Sequence, residues 1–83
     1  MKFYTNNYQQ SVNLEHVSYI SPIETRQDTQ LNDYTTGYSI NITLQNGLII
    51  PFWLIQCKRD EAISDFYKVA LEARYHLLKH CNS

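Results

Sequence analysis

Tyr38-Ser39-Ile40-Asn41-Ile42-Thr43-Leu44-Gln45-Asn46-Gly47-Leu48-Ile49-Ile50-Pro51-Phe52-Trp53-Leu54-Ile55 is the stretch whose reading decides the fold. Asn46-Gly47 separates two apolar-rich runs and suits a two-residue type I′ turn, in which both central residues need φ > 0. That turn predicts Gln45 opposite Leu48, Leu44 opposite Ile49, Ile42 opposite Pro51, Ile40 opposite Trp53 and Tyr38 opposite Ile55. One face of the hairpin is then apolar on both strands. The other sets Thr43, Asn41 and Ser39 beside Ile50, Phe52 and Leu54, so the second strand is apolar on both sides and its outer side calls for a cover. Pro51 has no N–H, and in this register its nitrogen points away from the partner strand. Residues 48–56 are therefore expected at or near an edge of the sheet.

Downstream of the hairpin, residues 59–80 contain neither Gly nor Pro, and Ile63, Phe66, Ala70, Ala73 and Leu77 recur at helical spacing. The apolar arc widens to Tyr67, Leu71 and Leu78, leaving Asp65, Lys68, Glu72, His76 and Lys79 as the polar face. Arg74 falls inside the arc and needs a buried partner or a snorkelled path to water. Upstream, Asn13-Leu14-Glu15-His16-Val17 reads as an Asn-initiated turn feeding a strand from about Val17 to Ser21, before Pro22. Residues 23–33 are polar without a clear period and predict a long connection, the mobile part of the fold. Residues 2–5 predict a short first strand. The expected fold class is α+β: one domain over residues 1–83, a small antiparallel β-meander of three to four strands, with one long C-terminal helix packed on the sheet.

A chain of 83 residues buries only about 60% of its unfolded surface, so its core is marginal unless something adds to it. Cys57 and Cys81 sit at opposite ends of the expected helix, too far apart to bond each other, and are read as reduced. The N-terminal residues hold no apolar signal core, and no stretch approaches the roughly 18 apolar residues that span a bilayer. A cytoplasmic location away from membranes is the expectation. With neither disulfide nor strong metal site in view, oligomerisation is the remaining support for a small core. The net charge of −1 and the mixing of seven basic with eight acidic residues argue against a duplex nucleic acid partner.

Candidate chemistry is sparse. Glu72, His76 and His80 fall at i, i+4 and i+8, a spacing that can share a metal, but the same residues read more simply as a solvated polar face near a helix C-terminus. A stable site would need preorganised ligands with supporting partners, so no metal or other cofactor is expected. Cys57, beside Lys58 and Arg59 ahead of an expected helix start, would have a lowered pKa there, yet no histidine can be placed next to it; a buried junction residue is the preferred reading. Asp60-Glu61 reads as a capping pair at the helix start. Two glycines are too few for a phosphate-cradling loop. Seven tyrosines and the Phe52-Trp53 pair raise a single-stranded nucleic acid platform, which lacks its basic groove.

The doubled apolar surface is the feature with most consequence. Leu48, Ile50, Phe52 and Leu54 on the strand, with Tyr67, Leu71, Tyr75 and Leu78 on the helix, exceed what one small core consumes. Arg74 joins them as an interface candidate that would pair with an acid across the contact. The competing reading folds the N-terminal segment, with Phe3, Tyr4 and Tyr8, over the strand and completes a monomeric core. The order of an Asn-Leu-x-x-Val turn, an Asn-Gly hairpin and a long terminal helix loosely resembles small prokaryotic and phage-borne proteins with sheet-plus-helix folds, and no motif names a family. The expected function is a non-enzymatic protein-interaction module of unknown pathway that binds itself as a homodimer, or another protein. The alternatives are a small metal- or ligand-binding protein using the Glu/His stripe, or a weak single-strand nucleic acid binder.

Overall fold

The computed structural model describes residues 2–30, 33–58 and 61–81, without the side chains of 28–30 and 33–35. It is α+β, with antiparallel strands in two sheets and one long C-terminal helix packed on the larger. Strands β1 (Phe3–Thr5) and β2 (Ser11–Asn13) form a hairpin of their own, and Asn13 Oδ1 then accepts the Glu15 N–H to open a 3₁₀ turn over Leu14–His16. Strand β5 (Asp33–Leu44) is the axis of the four-stranded sheet. Strands β3 (Val17–Ile20) and β4 (Glu24–Gln30) lie end to end along one side of it, and β6 (Ile49–Cys57) runs along the other. Among the described strands β6 pairs with β5 alone, so it is the expected edge.

The β5–β6 turn is not the type I′ turn of the sequence reading. Gly47 N–H bonds the Leu44 carbonyl (2.9 Å) and Leu44 N–H bonds the Leu48 carbonyl (2.8 Å), enclosing a three-residue loop. Gly47 takes the positive φ of 89°, and Asn46 does not share it. This is the loop whose left-handed third residue favours glycine. The extra loop residue moves the register by one. Ile42 meets Ile50, Asn41 meets Pro51, Ile40 meets Phe52 and Ser39 meets Trp53, while the expected Leu44–Ile49, Ile42–Pro51 and Ile40–Trp53 pairs do not form. A one-residue slip exchanges the two faces of a strand, so Ile50 and Phe52 share a face with Ile42 and Ile40.

A bulge then restores the expected Tyr38–Ile55 pair by leaving Leu54 without an opposite residue. Gly37 sits across from this irregularity, and a Cβ built on it would overlap the Ile55 carbonyl oxygen. Glycine is required there by close backbone approach.

Residues 24–30 correct the long connection expected over 23–33. They form an unbroken ladder with β5 from Glu24–Ser39 to Gln30–Asp33, although their side chains carry no apolar alternation. The strand is held by backbone pairing along a polar edge, which periodicity cannot detect. The break between β3 and β4 is bridged by Ser21: its N–H bonds the Asn41 carbonyl (3.0 Å), and its hydroxyl oxygen accepts the Asn41 N–H (2.8 Å).

The helix also starts later than the spacing suggests. A 3₁₀ turn over Ile63–Phe66 precedes α1 (Tyr67–Cys81), and Ala62 offers no side-chain cap. Glu61 lies in a turn, its carboxylate accepting the Lys58 N–H at 2.8 Å; Arg59 and Asp60 fall outside the described residues. Ala70 and Leu77 are buried against the sheet, with Ala73 and Cys81 beside them. Ile40, Ile42, Phe52 and Leu77 are the largest fully buried side chains, each contributing about 1.5–3 kcal/mol.

The N-terminal hairpin adds to the core on the helix-facing side of the sheet, not over the outer strand face as the competing reading had it, and Phe3 stays 60% exposed. Val12 and Leu14 are buried in the same cluster as Phe52 and Leu77, and the Tyr4 ring stands 6.1 Å from that of Phe52. Replacing Gly37 with alanine is expected to lower stability by about 3 kcal/mol, read as a fall in the urea midpoint without a change in slope; an unchanged midpoint would show that the bulge relaxes freely.

Candidate interaction surface

The register shift sorts the nine interface candidates. Phe52, 1% exposed, and Leu54 lie in the core beneath α1, so they are unavailable to a partner, contrary to the outward placement derived from the type I′ turn. Ile50 and Leu78 are half-buried, and Leu48 stands exposed at the hairpin tip. Arg74 needs no acid from another chain: its Nε donates to the Ser21 carbonyl at 3.1 Å, tying the helix to the β3–β4 break.

Tyr67, Leu71 and Tyr75 remain together in solvent. They recur every four residues on α1, drifting by about 40° per step, and are 46%, 46% and 63% exposed. Ala70 and Leu77 point the helix at the sheet, which leaves these three as a strip along one flank. Tyr67 is held at its base by an edge contact with Tyr38, ring centroids 5.4 Å apart. Exposed Lys68, Glu72 and Lys79 border the strip.

A second apolar group lies on the sheet face turned from the helix, where Tyr19 and Ile49 flank Thr43 across three strands. Both are 58% exposed. Neither was among the candidates, because the type I′ register sent Ile49 to the covered face. The same sheet face carries Trp53, with the Arg26 guanidinium 4.5 Å above its ring, and Asn41, whose side-chain amide donates to Glu24 at 3.2 Å.

Glu72, His76 and His80 are all exposed on α1. His80 turns Nδ1 to the His76 carbonyl at 2.8 Å and sets its ring edge-on to Tyr4. Among the described residues no three His, Cys, Asp or Glu side chains are grouped to hold a metal ion.

Cys57 ends β6 and is buried; it does not sit at a helix N-terminus. Burial pushes its thiol pKa up, and the Glu61 carboxylate adds to the rise, opposite in direction to the lowering that Lys58 and Arg59 suggested. Burial also raises the Cys81 thiol, with Lys2 acting against it. Both cysteines are free. No described helix is long and apolar enough to cross a membrane. No family model, curated protein or solved structure matches the chain.

The raised pKa has a direct chemical readout. Alkylation of Cys57 should be slow at neutral pH, with its pH midpoint displaced upward from that of the urea-unfolded chain, and Glu61→Gln should move the midpoint partway back down. A midpoint at or below the unfolded value would contradict this environment. Replacing Arg74 with methionine should cost about 1.5–3 kcal/mol, the range for a hydrogen bond from a charged donor. The solution mass should not change, whereas an interface role for Arg74 would change it.

Proposed function

We propose that this chain is a small, non-enzymatic protein-interaction module that pairs with a second copy of itself through the flank of α1. The observation that carries the reading is the strip of Tyr67, Leu71 and Tyr75, three large side chains exposed in a row on the most regular element of the fold. Tyrosine is enriched at interface hot spots because it offers broad contact area with few rotatable bonds and a polar tip.

An antiparallel arrangement of two such helices centred on Ala73 sets Leu71 against Tyr75 of the second copy. It also brings Lys79 toward the second copy's Tyr67, whose ring face attracts a cation. A parallel arrangement would instead bring Lys68 to Lys68 and Glu72 to Glu72, which repel. The small core adds a motive for association, since burial across an interface supplements what 83 residues supply alone.

Light scattering over a dilution series tests the reading. The parent should have a dimer mass that falls only on strong dilution, and L71D/Y75S should loosen the dimer at least about 30-fold, the effect of losing one hot spot, with its helical circular dichroism unchanged. A parent that is monomeric at every concentration, or a variant of unchanged mass, would overturn it.

A further inference from the structure

The outer edge of β6 is closed by side chains where a neighbouring strand would otherwise lie. Between Leu48 and Cys57 the strand carries no charged residue, and its run of large apolar side chains has the character that pairs readily with a second strand. Lysine or glutamate on an edge is the usual protection; this edge has only Pro51, which removes one donor.

Four further groups, the Pro51 and Trp53 carbonyls and the Trp53 and Gln56 N–H groups, are met by the turn between β1 and β2. Gln10 Oε1 accepts the Trp53 N–H at 2.8 Å, and Gln10 Nε2 donates to the Pro51 carbonyl at 3.1 Å. One side-chain amide thus bonds the carbonyl before Phe52 and the N–H after it, the pattern that one residue of a parallel strand makes with its own N–H and C=O. Asn6 Nδ2 donates to the Trp53 carbonyl at 3.0 Å, and the Tyr8 hydroxyl accepts the Gln56 N–H at 2.8 Å.

The turn is itself braced for this task. Asn6 Oδ1 accepts the N–H groups of Tyr8 (2.9 Å) and Gln10 (3.0 Å), its Nδ2 also reaches Gln10 Oε1 (2.9 Å), and Gln9 takes a positive φ of 63°. Non-glycine residues rarely adopt that conformation, so the loop is held by its surroundings.

We infer that the Asn6–Tyr8–Gln10 turn is a guard that keeps the outer edge of β6 from pairing with the same edge of a second copy. This surface is distinct from the α1 flank. Once uncovered, the edge presents the Trp53 N–H and carbonyl for a reciprocal antiparallel pair across a two-fold axis.

The test uses L71D/Y75S as background, so that mass reports on the edge. Adding N6A/Q10M, which keeps the bulk of Gln10 but removes its amide, should shift the mass from monomer toward dimer as concentration rises. Exchange of the Trp53 amide proton should be fast in dilute solution and slow on association. Adding Ile49→Lys, a charge at an exposed position of the same strand, should return the monomer. A monomer at every concentration with the Trp53 amide unprotected would overturn the inference, and so would association that Ile49→Lys leaves untouched, since that marks aggregation through unfolding. If the background itself remains dimeric, the α1-flank reading fails on its own, and the guard is still judged by protection of the Trp53 amide in the two variants.

Discussion

Gly47 adopts a positive φ that a residue with a Cβ rarely tolerates, and the two hydrogen bonds this permits, from the Gly47 N–H to the Leu44 carbonyl and from the Leu44 N–H to the Leu48 carbonyl, determine which face of β6 meets the helix. With a two-residue loop, Trp53 would have lain opposite Ile40, and Phe52 would have faced away. With three residues, Phe52 lies opposite Ile40 and fills the space under Leu77 and Ala70. The bulge at Leu54 follows from the same constraint. Without it the slipped register would run to the end of the strand; with it, Leu54 joins the core and Tyr38 recovers Ile55. Gly37 is the local condition for that correction, because a side chain there would occupy the space of the Ile55 carbonyl.

The helix and the N-terminal hairpin then divide the work of covering the inner face. Ala70 and Ala73 let α1 approach the sheet closely, and a narrow helix contact leaves room at the β6 side for Tyr4, Val12 and Leu14. Arg74 and Ser21 hold the opposite side, where β3 stops and β4 begins. The wide apolar arc of α1 is therefore not all consumed: Ala70 and Leu77 sit at the middle of its buried part, Tyr67 touches the sheet only at Tyr38, and Leu71 and Tyr75 stand exposed along the flank.

The architecture was legible in the sequence because its signals were local and periodic. The α1 spacing, the Asn13 turn, the Asn46-Gly47 hairpin and the edge position marked by Pro51 each rest on one residue or one repeat. The register was not legible, since an Asn-Gly pair serves both a two-residue and a three-residue loop. That single ambiguity misplaced Phe52, Leu54 and Ile49 together. Strand β4 was missed for a different reason: Glu24–Gln30 is held by its backbone on β5, and its wholly polar sequence leaves no apolar period. The edge cap was missed because Asn6 and Gln10 look like any polar loop residues until Trp53 and Pro51 are placed beside them.

As proposed above, the α1 flank and the β6 edge separate wanted from unwanted association. A sheet edge offers backbone groups, which any extended chain can match, so its contacts are strong but indiscriminate. A helix flank has its backbone groups already bonded, and a partner must match the shape and spacing of side chains instead. Placing three neutral polar side chains over β6 removes the indiscriminate option without adding charge near the Arg26–Trp53 stack. It also ties the capping of the edge to the closing of the core, because Tyr4 and Val12, which pack on Phe52 and its neighbours, belong to the hairpin that carries Asn6 and Gln10. Loosening the hairpin would open the edge and the core together, so the free edge is available only at a cost in the fold's own stability.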